Sequence, residues 1–230
     1  MTRLVPGLVA LLAAAASVLT GCAGPVVDGP AASSAVPEGD GPVVAFYGDS
    51  YTLGTGASDA SHRWSTVVSE ERGWREYNPS VNGLGFVNHR TSFEGGDLPG
   101  LVIDADPDIV FVTMGLNDNF SYDARADEIH AQIGDDLDRI ASALPDARLV
   151  VVEPFWYTDE RPASVDVIAG WVHDAADEVG ADWVPGASRW LEGHPEWMAA
   201  DGLHPNNDGY AEMAKRMDSE LTKLGLPAGG

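Results

Sequence analysis

The sequence predicts an α/β domain, a parallel sheet covered by helices on both faces. Three observations point to it. Short apolar runs without the alternation of a half-exposed strand stop at glycines, the mark of strands buried on both faces. Amphipathic stretches of helical period lie between them. Gly, Ser, Asn and Asp residues with chemical potential sit just past two of these runs, where parallel sheets collect their functional groups.

Each element can be read in order. The run Val43, Val44, Ala45, Phe46, Tyr47 is the first strand and stops at Gly48. Residues 64–71 read as a helix closed by Gly73, and a weak strand is expected over 76–81. Residues 109–114 form the clearest buried strand, ended by Gly115. A long helix covers 123–144, with Ile129, Ile133, Leu137 and Ile140 on one face. A strand at 149–152 is followed by a helix at 165–179, where Val165, Ile168, Val172, Ala176 and Val179 are in register, and by a short strand at 182–184. The last helix spans 207–224, with Tyr210, Met213, Met217, Leu221 and Leu224 on one side and Gly225 as its stop.

Composition limits what this domain does. A hydrophobic fraction of 44% excludes a disordered chain. Acidic residues outnumber basic ones 36 to 13, a net charge of −23. Lys and Arg supply most nucleic-acid affinity, so a nucleic-acid partner is excluded, as is electrostatic docking on anionic lipid. The chain has one cysteine, Cys22, so no intrachain disulfide forms.

That cysteine follows a basic start at Arg3 and an apolar run over 8–19 that is short for a membrane span. The sequence Leu19-Thr20-Gly21-Cys22 resembles a bacterial lipobox. The resemblance implies that 1–21 is a signal peptide removed from the chain. It also implies that Cys22 carries lipid and that the protein is held on the extracytoplasmic face of the cell membrane by this anchor alone; an ordinary secretory signal, leaving a secreted protein, is the alternative. Residues 22–41, rich in Gly, Pro, Ala and Ser, read as a flexible tether, and 42–230 as a single folded domain, expected to be monomeric.

Three segments carry chemistry. Gly48-Asp49-Ser50 follows the first strand, so a turn exposes a serine at the catalytic edge. Gly115-Leu116-Asn117-Asp118 follows the strongest strand and can bring an amide N–H to the same cleft. Asp201-Gly202-Leu203-His204 precedes the last helix; an Asp three residues before a His can fold back onto one ring nitrogen and leave the other to take a proton. His62, His89, His130, His173 and His194 lack such a setting and are expected to be surface or core residues.

In order and spacing these segments resemble the blocks of the SGNH (GDSL-like) hydrolase family, over essentially the whole domain from Val43 onward. The resemblance implies a three-layer α/β/α sandwich on a five-stranded parallel sheet, of the flavodoxin-like kind. It implies a serine esterase acting on short acyl or acetyl esters of lipids or glycans, with Ser50 as nucleophile, His204 as base and Asp201 orienting it. The oxyanion hole would comprise the Ser50 amide, a glycine amide and the Asn117 side chain. Asn78-Pro79-Ser80-Val81-Asn82-Gly83 fits the family's pattern of an Asn five residues before that glycine, which favours Gly83, with Gly85 as the alternative. The first block departs from the family form by reading Tyr51 after the serine, which bears on substrate preference. No metal or cofactor is expected.

Three other readings compete. A metal-dependent phosphoesterase needs ligands that are poorly supplied, with no Asp-x-His ahead of the first block and no histidine beside Asn117. An acyltransferase would use the same residues, and a non-catalytic binding lipoprotein would have no use for the intact Ser, Asn, Asp and His set. Trp156, Trp190 and Trp197 are candidates to line a sugar or acyl pocket, with core and rim packing as the competing reading.

Overall fold

The computed structural model describes residues 30–93 and 95–226. Residues 1–21, expected to be a signal peptide, and Cys22 lie outside the described residues. Five strands form one parallel sheet in the order β2-β1-β3-β4-β5: β1 Val43–Gly48, β2 Arg75–Tyr77, β3 Ile109–Thr113, β4 Arg148–Val152 and β5 Asp182–Val184. The helices are α1 Ser50–Leu53, α2 Trp64–Glu71, α3 Leu98–Asp104, α4 Tyr122–Ala143, α5 Ala163–Val179 and α6 Asn207–Lys223. Among the described residues no helix is long and apolar enough to cross a membrane.

Successive strand residues point to opposite faces, so the sheet feeds two cores. On one face Val44, Phe46, Phe111, Val150 and Val152 pack with Val68 of α2 and with Met213, Met217 and Leu221 of α6. On the other, Ala45, Tyr47, Val110, Val112 and Val151 pack with Val102 of α3, Ile129 to Ile140 of α4 and Val172 of α5. The outcome is the three-layer α/β/α sandwich. Phe46 and Phe111 stack at 5.1 Å between centroids, tying β1 to β3 beneath the catalytic edge. Rings buried this fully contribute roughly 1.5–3 kcal/mol each.

The structure departs from the sequence reading in three places. The weak strand runs only over Arg75–Tyr77 and ends where Asn78 turns its amide into the interior, donating to Thr52 O at 2.7 Å. Helix α3 was not expected, because Leu98-Pro99-Gly100 has the composition of a turn; Pro99 is tolerated because it lies in the first turn, where its missing N–H has no helical partner.

The third departure concerns the tether. Residues 30–41 were expected to be flexible, but they run alongside β2. Pro30 is buried against Gly54, and Arg63 donates to Ala31 O at 3.4 Å. The Ser33 amide donates to Asn78 O at 2.7 Å, and the Asn78 amide to Ser33 Oγ at 3.0 Å. Val36 packs on the core, and Arg75 Nε donates to Gly41 O at 2.7 Å. The physical reason is that β2 is an edge strand, and the segment beside it finds backbone partners at Asn78, just past the strand, and a side-chain donor in Arg75.

Candidate active site

The site is built where β1 and β3 end. Asp49 is the N-cap of α1, its Oδ1 accepting the Tyr51 amide at 2.9 Å, so the nucleophile candidate Ser50 is the first helical residue and only 5% exposed. The loop ahead of α6 is drawn against this turn by several bonds. Tyr51 Oη donates to Leu203 O at 2.7 Å, the Ser58 amide to Asn207 Oδ1 at 2.8 Å, and Tyr210 Oη to Thr55 O at 2.8 Å. The Tyr51 and His204 rings are thereby 6.0 Å apart.

Asp201 uses both oxygens on its own loop. Oδ1 accepts the amides of Leu203 and His204 at 2.9 and 3.0 Å, and Oδ2 lies 2.7 Å from His204 Nδ1. Partial burial pushes the Asp201 carboxyl up, but the bonds from the His204 amide and ring outweigh it and hold its pKa below the usual carboxylate value. Asp201 thus engages Nδ1 and leaves Nε2 of the ring outside this pair. No hydrogen bond joins Ser50 Oγ to His204 in this structure; such bonds commonly tighten only when substrate is bound.

The remaining histidines are committed elsewhere. His194 pairs with Glu196 at 2.8 Å and stacks on Trp197 with centroids 3.5 Å apart. His62 Nδ1 is shared by Asp59, Ser58 and Ser61, so carboxylate and hydroxyls address the same nitrogen and no relay is possible. His130 stacks on Trp171 and His173 on Trp183. Among the described residues no group of three or more His, Cys, Asp or Glu side chains is placed to hold a metal ion.

Asn117 opens a 3-10 turn after β3 and is nearly buried. Its Nδ2 donates to Asp49 Oδ2 at 3.1 Å and to Leu84 O at 3.0 Å. The side chain therefore joins the Ser50 turn to the loop that carries the glycine candidates, and donating to an oxyanion requires one of these bonds to be shared or exchanged. The two glycines differ in what their amides do. The Gly85 N–H donates to Asn88 O at 2.9 Å, whereas the Gly83 N–H has no protein acceptor among the described residues. Gly83 has φ +72° in a turn closed by the Leu84 amide on Val81 O, a conformation that favours glycine.

Two buried carboxylates to which the sequence reading assigns no catalytic part hold this arrangement. Asp118 is fully buried and accepts the amides of Phe86, Val87 and Asn88 at 2.7, 2.9 and 3.1 Å. Gly85 lies against it so closely that a Cβ there would meet both carboxylate oxygens at 2.5 Å. Burial raises the Asp118 pKa, and the three amides lower it in part. Asp49 is pushed up to about 7 by burial, with Asp118 adding to the rise and the Tyr51 amide and Asn117 opposing it. The only sequence signal for either role was an acid next to each block residue.

Trp156 and Trp190 are core residues, 3% and 7% exposed, so they do not line an open pocket, and Trp197 is stacked on His194. An open cavity of about 450 Å³ instead lies beside the His204 loop, with Tyr157, Leu191, Pro195, Met198, Ala200 and Gly202 in its wall.

The chain is similar to known proteins over the same span. The model of the GDSL-like Lipase/Acylhydrolase family matches residues 46–212. The GDSL lipase Rv0518 of Mycobacterium tuberculosis is 29% identical over 185 residues, covering 76% of this chain and 79% of its own. Among solved structures, TesA has a TM-score of 0.65 at 19% identity, covering 79% of this chain and 99% of its own. The psychrotrophic esterase EstA from Pseudoalteromonas has a TM-score of 0.62 at 14% identity, covering 80% and 98%. A variant of Axe2, an acetylxylan esterase from Geobacillus stearothermophilus, has 0.60 at 19%, covering 84% and 98%. At these identities the solved structures establish a shared fold.

Proposed function

Because this chain belongs to the GDSL-like lipase/acylhydrolase family, we propose that it hydrolyses carboxylic esters through an acyl-enzyme on Ser50. Ser50 Oγ attacks the ester carbonyl carbon while His204 Nε2 takes its proton. The oxyanion is met by the Ser50 amide, the Gly83 amide and Asn117. The C–O bond then breaks, and the alcohol leaves with the proton from His204. Water adds to the acyl-enzyme by the same route in reverse and releases the acid. Asp201 keeps the proton of the ring on Nδ1 throughout and stabilises the imidazolium.

The observation that carries this reading is the Asp201–His204 pair, drawn onto the Ser50 turn by Tyr51 and Tyr210. The choice of Gly83 over Gly85 is supported by the Gly83 amide having no protein acceptor among the described residues. Small-molecule, lipid or glycan esters are the substrate class. We further propose that Cys22 carries the lipid anchor, because it follows an apolar run at the lipobox position.

The test of the activity is a generic aryl acetate together with a fluorophosphonate probe. A burst of phenol followed by steady turnover is expected, with the probe on Ser50 alone. Ser50→Ala should abolish both while leaving thermal unfolding nearly unchanged. Labelling of another serine, or near-normal turnover by the alanine variant, would overturn the assignment.

A further inference from the structure

The path of residues 30–41 fixes the end of the domain from which the N-terminal segment extends. The segment lies antiparallel to β2. Gly41 sits by Arg75 at the amino end of the strand, and Ser33 pairs with Asn78, just past its carboxyl end. Pro30 then rests against Gly54, the residue that caps α1 and donates to Ser50 O. The described chain thus begins at the catalytic edge of the sheet, one helical turn from Ser50. The other terminus is at the opposite edge, where Leu224 O accepts from Arg148 at the start of β4, and Leu226 O accepts from Arg72 just after α2.

Pro30 comes only eight residues after Cys22. Fully extended they span at most about 26–29 Å, whereas a domain of this size is about 40 Å across. A leash shorter than the domain and rooted at the catalytic edge cannot let the domain invert so that this edge lies farthest from the surface it is tied to. Net charge does not provide the approach, since a chain at −23 is repelled by anionic lipid. Beside the His204 loop the open cavity of about 450 Å³ has Leu191, Pro195, Met198, Ala199 and Ala200 in its wall, a surface suited to an apolar chain.

We propose that the docked segment 30–41 and its eight-residue leash hold the catalytic mouth against the membrane, and that the substrate is an acyl ester of a lipid in that membrane. The proposal rests on the esterase reading and on the anchor at Cys22.

The experiment compares full-length lipidated protein with three variants. In the first, twenty Gly/Ser residues are inserted between Gly24 and Pro25. In the second, Cys22→Ser removes the anchor. In the third, the same variant carries a lipid attached eight residues beyond Leu226. Each is assayed on vesicles of ether-linked phosphatidylcholine, which contain no other carboxylic ester, carrying a bilayer-held fluorogenic acyl ester, and separately on a soluble aryl acetate.

All four proteins are expected to hydrolyse the aryl acetate equally. On vesicles the insertion should lower the rate roughly 5–10-fold, following the −3/2 power of leash length. The unanchored and C-terminally anchored proteins should each fall tenfold or more. Equal vesicle rates for the N- and C-terminally anchored forms would overturn the proposal. So would wild-type protein found outside the membrane fraction with its N-terminus downstream of Cys22. Loss of aryl acetate turnover in every form, wild type included, would instead overturn the esterase reading itself.

Discussion

Asp201 holds His204 at two points: one carboxylate oxygen accepts the His204 amide at 3.0 Å and the other lies 2.7 Å from its Nδ1. The residue that fixes the backbone of the loop also pairs with one ring nitrogen of the proposed base. Asp201→Asn keeps an oxygen for the two amides but turns an NH₂ toward Nδ1, which moves the ring proton to Nε2. The expected result is a kcat lower by about 10²–10⁴ with little change in Tm. His204→Ala should be nearly inactive, and His194→Ala, whose ring is stacked on Trp197, should retain most activity. Steady-state kinetics on an aryl ester check all three, and a dead His194→Ala would show that the base has been misplaced.

Asn117 gives a separable signature. Asn117→Ala should lower kcat by about 10²–10³ with a much smaller change in KM, as expected of a donor acting in the transition state. It also strands Asp49 Oδ2 and Leu84 O in the interior. A stability loss of about 1–3 kcal/mol should accompany it in denaturant unfolding. A change confined to KM would make Asn117 a substrate-binding residue instead.

Asp118 is expected to act through the loop that it grips. Asp118→Ala leaves two buried amides and the half-buried Asn88 amide without an acceptor and should cost at least about 3 kcal/mol. Asp118→Asn keeps one acceptor oxygen and should fold. Its kcat should fall more than its KM changes, with faster hydrogen exchange at Phe86, Val87 and Asn88. Unchanged exchange at those amides would separate Asp118 from the loop.

Asp49 sets a pH dependence whose sign follows from its raised pKa of about 7. An unfolded aspartate titrates near 3.9, so between about pH 4 and 7 the folded protein binds the extra proton. The Asp49 contribution to stability therefore falls as pH rises through that window and is level above it. Asp49→Asn cannot titrate. The Tm of wild type minus that of Asp49→Asn should decrease from pH 5 to pH 7.5 and then stop changing. A difference that rises across this window would contradict the burial of Asp49 as the cause.

The sequence by itself determined the parallel α/β architecture, because strands buried on both faces and helices with one apolar stripe leave their periods in the chain. It also determined the Asp201–His204 pair, since a spacing of three residues across Gly202 needs only a few local dihedral angles to bring the two side chains together. Helix α3 stayed hidden because Pro99 and Gly100 have turn composition, and only packing of Leu98 and Val102 on the sheet stabilises it. The docking of residues 30–41 was equally invisible, because a low-complexity segment becomes ordered only when an edge strand offers it hydrogen bonds. The link from Asp49 to Asn117 spans 68 residues and the grip of Asp118 on the Phe86 amide spans 32. Which amides these carboxylates hold, and so which glycine keeps a free N–H, was decided only when the sheet brought the ends of β1 and β3 side by side.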